Sequence, residues 1–157
     1  MKRREFLASS ALVAGTSLLA SQNSKASHHM ETNKGKVTIP STLNKKLQKE
    51  IIAVTQECID YARECLAHCA RDLASGSLMM AECNLSVQSM LPLCEGMNRV
   101  VHLNSMKKDT LSALAQACTK ACEDCYQACK PHIKMHDECK NCAESCLKCI
   151  EVCKKIA

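Results

Sequence analysis

The C-terminal stretch ECKNCAESCLKCIEVC, residues 138–153, places five cysteines at gaps of three, four, three and four residues. This rhythm averages 3.5 residues, so all five side chains fall on one face of a helix. In a helical bundle that face normally carries leucine and packs into the core. The pattern therefore predicts a helix that packs through its thiols.

The amino-acid composition also indicates a core that consists largely of cysteine. The 157 residues include fourteen cysteines, two tyrosines, one phenylalanine and no tryptophan, so a core of aromatic side chains is excluded. Cysteine is among the most readily buried residue types. The length suits a single domain. We expect the thiols to fill much of its interior.

Four segments carry this heptad-like pattern, at roughly residues 43–74, 78–103, 109–130 and 137–156. Ser41 or Thr42 offers an N-cap for the first, Pro92 is expected to kink or break the second, and Pro131 ends the third. Short connections between long helices favour an all-α fold, an antiparallel up-down-up-down four-helix bundle with a cysteine-lined core. The first three expected core faces are Leu47, Ile51, Val54, Cys58, Tyr61 and Cys65; Cys83, Val87, Met90, Cys94, Met97 and Val101; and Leu111, Leu114, Cys118, Cys122, Cys125 and Cys129.

The N-terminal 26 residues are typical of a twin-arginine export signal. Arg3 and Arg4 precede an apolar, small-residue run, and a cleavage site is expected near Ala26. This pattern predicts a periplasmic protein with a flexible tail over residues 27–40 and the bundle over residues 41–157. The leader has four basic residues and one acidic residue, so the mature chain keeps +2 of the formal +5 charge. That charge is too small to indicate a nucleic-acid or membrane partner.

Several chemistries compete for the thiols. Leucine would pack better in a purely structural core. Disulfides need Cβ atoms about 3.5–4.5 Å apart, whereas helix neighbours lie about 5–6 Å apart, which leaves only bridges between helices. Iron–sulfur cysteines of the ferredoxin kind lie on loops around a compact cluster. Zinc with four thiolates leaves a buried charge of −2. A zinc site, an iron–sulfur site and a disulfide-stapled bundle are the alternatives.

Cu(I) suits the pattern best, because soft thiolates select it and one ion per bridging thiolate gives a neutral core. Thiols three or four residues apart on a helix lie a little under about 5 Å apart, roughly twice a metal–thiolate bond of about 2.3 Å. We interpret the chain as a store for many Cu(I) ions, up to about one per cysteine, and not as an enzyme. The candidate ligands are Cys58, Cys65, Cys69, Cys83, Cys94, Cys118, Cys122, Cys125, Cys129, Cys139, Cys142, Cys146, Cys149 and Cys153.

Four motifs carry a family resemblance: ECLAHC at 64–69, MAEC at 80–83, ACTKACEDCYQAC at 117–129 and ECKNCAESCLKCIEVCKK at 138–155. With them the chain resembles the copper storage proteins, four-helix bundles whose cysteine-lined interiors bind many Cu(I) ions. It looks most like the exported branch of that family. The resemblance implies a homo-oligomer, of the tetrameric kind. It implies copper stored for supply to a copper-dependent enzyme or for protection from copper, and the sequence leaves both roles open.

The resemblance also implies copper uptake at an open bundle end, where His68 and Met80 match the family's positions. The topology supports this end independently, because the first and third connections of an up-down-up-down bundle meet there. These connections add Met79, His132, Met135 and His136 as candidate uptake residues. Thioether and imidazole ligands suit exchange of Cu(I).

The tail suggests a separate Cu(II) site. Cleavage after Ala26 would leave a free amine on Ser27, followed by His28 and His29. An amine with histidine in the third position chelates Cu(II) in the square plane that this ion prefers. His28 and His29 are therefore candidate Cu(II) ligands.

Overall fold

The computed structural model describes residues 41–156. Four helices follow one another: α1 (Lys45–Ala74), α2 (Ala81–Leu103), α3 (Lys108–Cys129) and α4 (Asp137–Cys153), with a short 3-10 turn at Lys130–His132. Both α1 and α3 pack against α2 and α4, so each of these pairs lies on a diagonal of the bundle. The predicted antiparallel up-down-up-down bundle is confirmed.

The cysteine-rich faces point inward, as the spacing predicts. On α2 every expected core position, from Cys83 to Val101, is fully buried. On α1 the buried face is rotated slightly, because Thr55 and Ala62 are fully buried while Val54 and Tyr61 are only half-buried. A straight helix repeats every 3.6 residues, so a 3.5-residue pattern drifts around it over several turns.

The helix ends differ from the sequence expectation at α1. Asn44, and neither Ser41 nor Thr42, is the N-cap, and its side-chain oxygen accepts a hydrogen bond from the Leu47 backbone N–H at 2.9 Å. The Thr42 hydroxyl instead donates to the Met106 carbonyl. Three cap-forming residues occur within four positions, so composition alone could not single out the cap.

The two prolines behave differently. α3 ends at Cys129, two residues before Pro131, as predicted. Of the kink or break predicted at Pro92, the break does not occur, because α2 runs without interruption through this exposed residue. The helix packs against α1 and α3 on both sides of the proline, and this packing holds the helical path where one backbone hydrogen bond is missing.

The predicted leader over residues 1–26, the tail over residues 27–40 and the candidate Cu(II) ligands His28 and His29 lie outside the described residues. Within residues 41–156, no helix combines the length and the apolar character needed to cross a membrane.

Candidate metal centre

All fourteen predicted cysteine ligands lie inside the bundle. Each is 0% exposed, and each is a free thiol. The helices contribute unequally, with three cysteines from α1, two from α2, four from α3 and five from α4. The sequence pattern therefore brings together a single continuous body of thiols along the bundle axis.

The shortest thiol contacts join different helices. The Cys83 sulfur lies 3.3 Å from that of Cys129, and the Cys94 sulfur lies 3.5 Å from Cys118 and 3.6 Å from Cys122. These separations exceed a disulfide bond length of about 2.05 Å. They are close to the spacing of two sulfurs that share one metal ion.

Contacts within one helix are slightly longer. The sulfur separation is 4.0 Å for Cys65 and Cys69 on α1, and 3.9 Å for Cys149 and Cys153 on α4. Both pairs are four residues apart on one helix, and their sulfurs lie closer than the separation of a little under about 5 Å that this spacing predicts. The bundle therefore offers each thiol partners along its own helix and across to the neighbouring helices.

The thiols form overlapping groups whose sulfurs all lie within 4.8 Å of one another. Cys65, Cys142 and Cys149 each belong to two groups, so a single thiolate there can contact two ions. The groups are Cys58, Cys94, Cys122 and Cys149; Cys65, Cys83 and Cys139; Cys65, Cys129 and Cys142; Cys118, Cys149 and Cys153; and Cys125, Cys142 and Cys146. Cys69 extends the array from Cys65 toward the end of α1.

The thiols at the two ends of the array have raised pKa values. Burial raises the pKa of Cys69 to about 12, because the thiolate loses its hydration. A hydrogen bond with Cys118, together with burial, raises the pKa of Cys153 to about 12. At neutral pH these thiols are therefore protonated and neutral, and a metal ion must displace their protons.

One end of the bundle gathers imidazoles. The rings of His68 and His136 lie 4.6 Å apart between centroids, and His132, four residues before His136, is buried in the 3-10 turn. His68 Nε2, His136 Nε2 and His132 Nδ1 are buried and have no hydrogen-bond partner among the described residues. An imidazole nitrogen with a free lone pair is a metal ligand. We call this end, made of His68, Met80, His132 and His136, the histidine end.

A carboxylate lies close to one of these imidazole rings. Glu138 Oε1 lies 3.6 Å from His68 Nδ1 and 3.5 Å from an Arg71 guanidinium nitrogen. The backbone N–H of Glu138 lowers the pKa of this carboxyl, and His68 and Arg71 lower it further. The carboxylate faces Nδ1 at 3.6 Å without a direct hydrogen bond, and Nε2 is the His68 nitrogen that is buried without a partner among residues 41–156.

The predicted methionines of this end separate into two groups. Met80 is 0% exposed, whereas Met79 and Met135 are 51% and 60% exposed. The structure therefore brings Met80 into the interior with the thiols. It leaves Met79 and Met135 on the surface of the same end.

The opposite end is apolar. Ile51, Val101, Leu111 and Ile156 are buried there, one from each helix or its immediate continuation. Close packing of branched side chains leaves little room for an ion to pass. The thiol array is thus closed by hydrocarbon at one end and lined by imidazole at the other.

One residue in contact with the thiols was not recognised as a candidate ligand. The Met90 sulfur lies 3.2 Å from the Cys94 sulfur and 3.7 Å from the Cys58 sulfur. The sequence places Met90 on the core face of α2, four residues before Cys94. The spacing of Met90 on α2 predicts that it is buried. Its contact with Cys58 depends on how α1 and α2 pack, so the sequence alone does not predict that contact.

Solved structures share this fold. The chain is similar to the copper storage protein Ccsp of Streptomyces lividans loaded with 10 copper equivalents, at 20% identity and a TM-score of 0.67, over 76% of this chain and 92% of that one. A structure of a cytosolic copper storage protein from Streptomyces lividans with five coppers matches at 22% identity and a TM-score of 0.64, over 71% of this chain and 92% of that one.

The predicted export to the periplasm is contradicted by this comparison, because the second of these proteins is described as cytosolic. A basic and apolar N-terminus was therefore too weak a basis for assigning a compartment.

A comparison with curated proteins returns no match. A family model described as copper storage protein, in contrast, matches residues 44–157, which include all four helices and every cysteine of the array. With this match the chain belongs to the copper storage protein family.

Proposed function

We propose that this chain stores Cu(I) as thiolate clusters within a bundle that is already folded before copper binds. The observation that carries the proposal is the overlap of the thiol groups, in which Cys65, Cys142 and Cys149 each belong to two groups. Shared thiols are what a cluster of bridged ions requires. The ligands in this proposal are the fourteen cysteines, from Cys58 to Cys153.

Charge favours Cu(I) over zinc as the stored ion. One Cu(I) that replaces one thiol proton leaves the interior neutral when each thiolate bridges two ions. Zinc in a four-thiolate site would leave −2, and several such sites in one core would repel one another. The group of Cys58, Cys94, Cys122 and Cys149 has the four thiols that a zinc ion takes, so zinc is the alternative cargo.

Copper uptake is proposed at the histidine end. Its support is the set of three buried imidazole nitrogens that have no hydrogen-bond partner within residues 41–156, together with the buried thioether of Met80. Imidazole and thioether hold Cu(I) without losing a proton and release it more readily than a thiolate. Met79 and Met135, which are exposed at the same end, offer the first soft ligands to an arriving ion.

Further features of the proposal rest on the family. The store would supply a copper-dependent enzyme or limit the free ion, and it would perform no catalysis itself. Its assembly would be a homo-oligomer of the tetrameric kind. Light scattering of apo and loaded protein measures the assembly, and a mass equal to one chain in both forms would exclude an oligomer.

The test of storage is an anaerobic titration of the chain with Cu(I) in competition with a coloured Cu(I) chelator. We expect more than about ten equivalents to be withheld from the chelator, on the order of one per thiol. Circular dichroism in parallel should show helicity that barely changes, because the bundle precedes the metal. A matched titration with zinc identifies the preferred cargo.

Three results would contradict the proposal of Cu(I) storage in a preformed bundle. Withholding of only one or two equivalents would make the protein a carrier and not a store. A large gain of helix on loading would show that copper folds the bundle. Zinc that resists displacement by Cu(I) would favour the zinc alternative.

A further inference from the structure

Helix α2 contributes the fewest thiols to the core. It supplies only Cys83 and Cys94, eleven positions apart, and between them its core face carries Val87 and Met90. Met90 is 0% exposed and reaches the middle of the thiol array. A sulfur atom is therefore present at this level of α2, but as a thioether and not as a thiol.

Three sulfurs form a nearly regular triangle at this level. The sides are 3.8 Å between Cys58 and Cys94, 3.7 Å between Cys58 and Met90, and 3.2 Å between Cys94 and Met90. Both thiols donate hydrogen bonds to the Met90 sulfur. A lone pair of the thioether thus already faces the protons that a metal ion would replace.

The size of the triangle can be compared with the sulfur separations that two coordination geometries require. With metal–sulfur bonds of about 2.3 Å, an ion bound by two sulfurs in line separates them by about 4.6 Å, and a trigonal ion separates its three sulfurs by about 4.0 Å. The observed sides are nearer to the trigonal value. Each needs to lengthen only by a few tenths of an ångström to about 0.8 Å to accept an ion at the centre.

We propose that Met90 is a Cu(I) ligand and completes a trigonal site with Cys58 and Cys94. The inference rests on the proposed storage of Cu(I) and specifies one site within it. When the ion binds, the two thiols each lose a proton and the thioether loses none. The site then carries −1, which falls to zero when one thiolate bridges to a second Cu(I).

The neutral donor has a physical role in this part of the core. Cys58 and Cys94 already belong to a four-thiol group with Cys122 and Cys149. A further thiolate in place of Met90 would add another buried negative charge, which is costly where water is excluded. The thioether adds a third bond to the ion without that charge. It also favours Cu(I) over zinc, whose usual protein ligands do not include methionine.

Met97 provides the comparison that separates a ligand from core filling. It lies seven residues further along the same face of α2 and is also 0% exposed. Among residues 41–156 it accepts no thiol hydrogen bond of the kind that Met90 accepts twice. The neighbouring end of the bundle is apolar. Replacement of Met97 by leucine therefore matches the loss of volume and flexibility at Met90 without the loss of a sulfur beside thiols.

The experiment uses full-length chain labelled with selenomethionine and loaded anaerobically with Cu(I). X-ray absorption at the selenium edge then reports a copper shell around selenium. Wild type, Met90→Leu and Met97→Leu are compared, with circular dichroism of each apo form to verify folding. We expect the copper shell to lose amplitude in Met90→Leu and to keep it in Met97→Leu. In competition with a chelator, Met90→Leu should also retain fewer equivalents than Met97→Leu.

Equal copper shells and equal retention in the two variants would overturn the assignment and make Met90 a core residue. If Met90→Leu fails to fold, neither Met90→Gln nor selenium-edge data on Met97→Leu alone can replace it. Met90→Cys, which keeps a sulfur at this position, is then loaded instead. A selenium–copper shell of lower amplitude in Met90→Cys than in Met97→Leu supports the site. Failure of storage is seen separately, because wild type would then bind few equivalents whatever its selenium edge shows.

Discussion

The sulfurs of Cys83 on α2 and Cys129 on α3 lie 3.3 Å apart, the shortest thiol–thiol hydrogen bond within residues 41–156. This is longer than a disulfide bond of about 2.05 Å and shorter than the separation of about 4.0 Å across a trigonal metal ion. A small movement in either direction leads to oxidation or to metal binding. The state of the Cys83–Cys129 pair therefore shows whether the thiols have been oxidised or have bound metal.

Exposure of the apo protein to air should form the Cys83–Cys129 disulfide before any other. The pair joins two helices, whereas thiols within one helix are held too far apart at Cβ. Alkylation of free thiols followed by peptide mass mapping locates the bridge. Cys83→Ser should abolish it, Cys69→Ser should leave it in place, and prior copper loading should prevent it. A first bridge between Cys65 and Cys69 would contradict this geometry.

The apo protein should lose stability as the pH rises from about 9 to about 12. Burial in the folded protein raises the pKa of the Cys69 thiol from 9.0 to about 12. In this window the folded state binds more protons than the unfolded state, so the free energy of unfolding falls as the pH rises. Below pH 9 the contribution is fully present.

Cys69→Ser tests this linkage, because serine has a similar size and does not titrate there. The variant should lose less stability over the same pH range, by on the order of 1 kcal/mol per unit of pKa difference. Chemical unfolding of both apo proteins under anaerobic conditions measures it, and lysine and tyrosine titration is common to the two. Parallel pH profiles would show that Cys69 is not shielded from water in solution.

The sequence predicts the bundle and the burial of its cysteines well because each helix repeats one chemical type on one face. The core faces of α2 and α4 are recovered in full, since every step of three or four residues falls on a cysteine or an apolar side chain. On α1 the sequence predicts Val54 in the core, whereas Thr55 is the buried residue, because both fit the rhythm and only packing decides between them. The uninterrupted path of α2 through Pro92 likewise depends on its neighbours.

The contacts across the bundle could not be predicted from spacing. The separation of 3.2 Å between Met90 and Cys94 follows from one helix, but that of 3.7 Å between Met90 and Cys58 follows from how α1 meets α2. The contact between the His68 and His136 rings has the same origin, since α1 and α4 bring them together from positions far apart in the chain. The periodicity of a helix determines which of its side chains face the core. The register between packed helices determines which side chains of the two helices contact each other.

Copper uptake should slow when the histidine end loses its imidazoles. We expect His68→Ala and His136→Ala each to reduce the rate of Cu(I) transfer from a chelator by about 10-fold or more, comparable to the loss of a group that supports a metal ion. The final capacity should not change, because the thiols are intact. Stopped-flow transfer kinetics followed by a full titration separate rate from capacity.

His102→Ala is the matched control for these variants. This histidine is exposed near the end of α2, at the apolar end of the bundle. Its loss should leave the rate of copper transfer unchanged. Slowing in His102→Ala equal to that in His68→Ala would indicate that the ion does not distinguish the two ends.

Stability and storage should be separable at the apolar end. Ile51 is fully buried there, so Ile51→Ala is expected to lower the free energy of unfolding of the apo protein by about 2–5 kcal/mol. Ile52→Ala, at a half-buried neighbour, should cost less. Both variants should bind as much Cu(I) as wild type, because neither removes a sulfur. Bound copper should add stability, because the thiols arranged in the folded bundle bind it more tightly than those of the unfolded chain. Anaerobic urea unfolding with and without copper measures these effects. A reduced copper capacity in Ile51→Ala would mean that the hydrocarbon end also holds the thiol array in register.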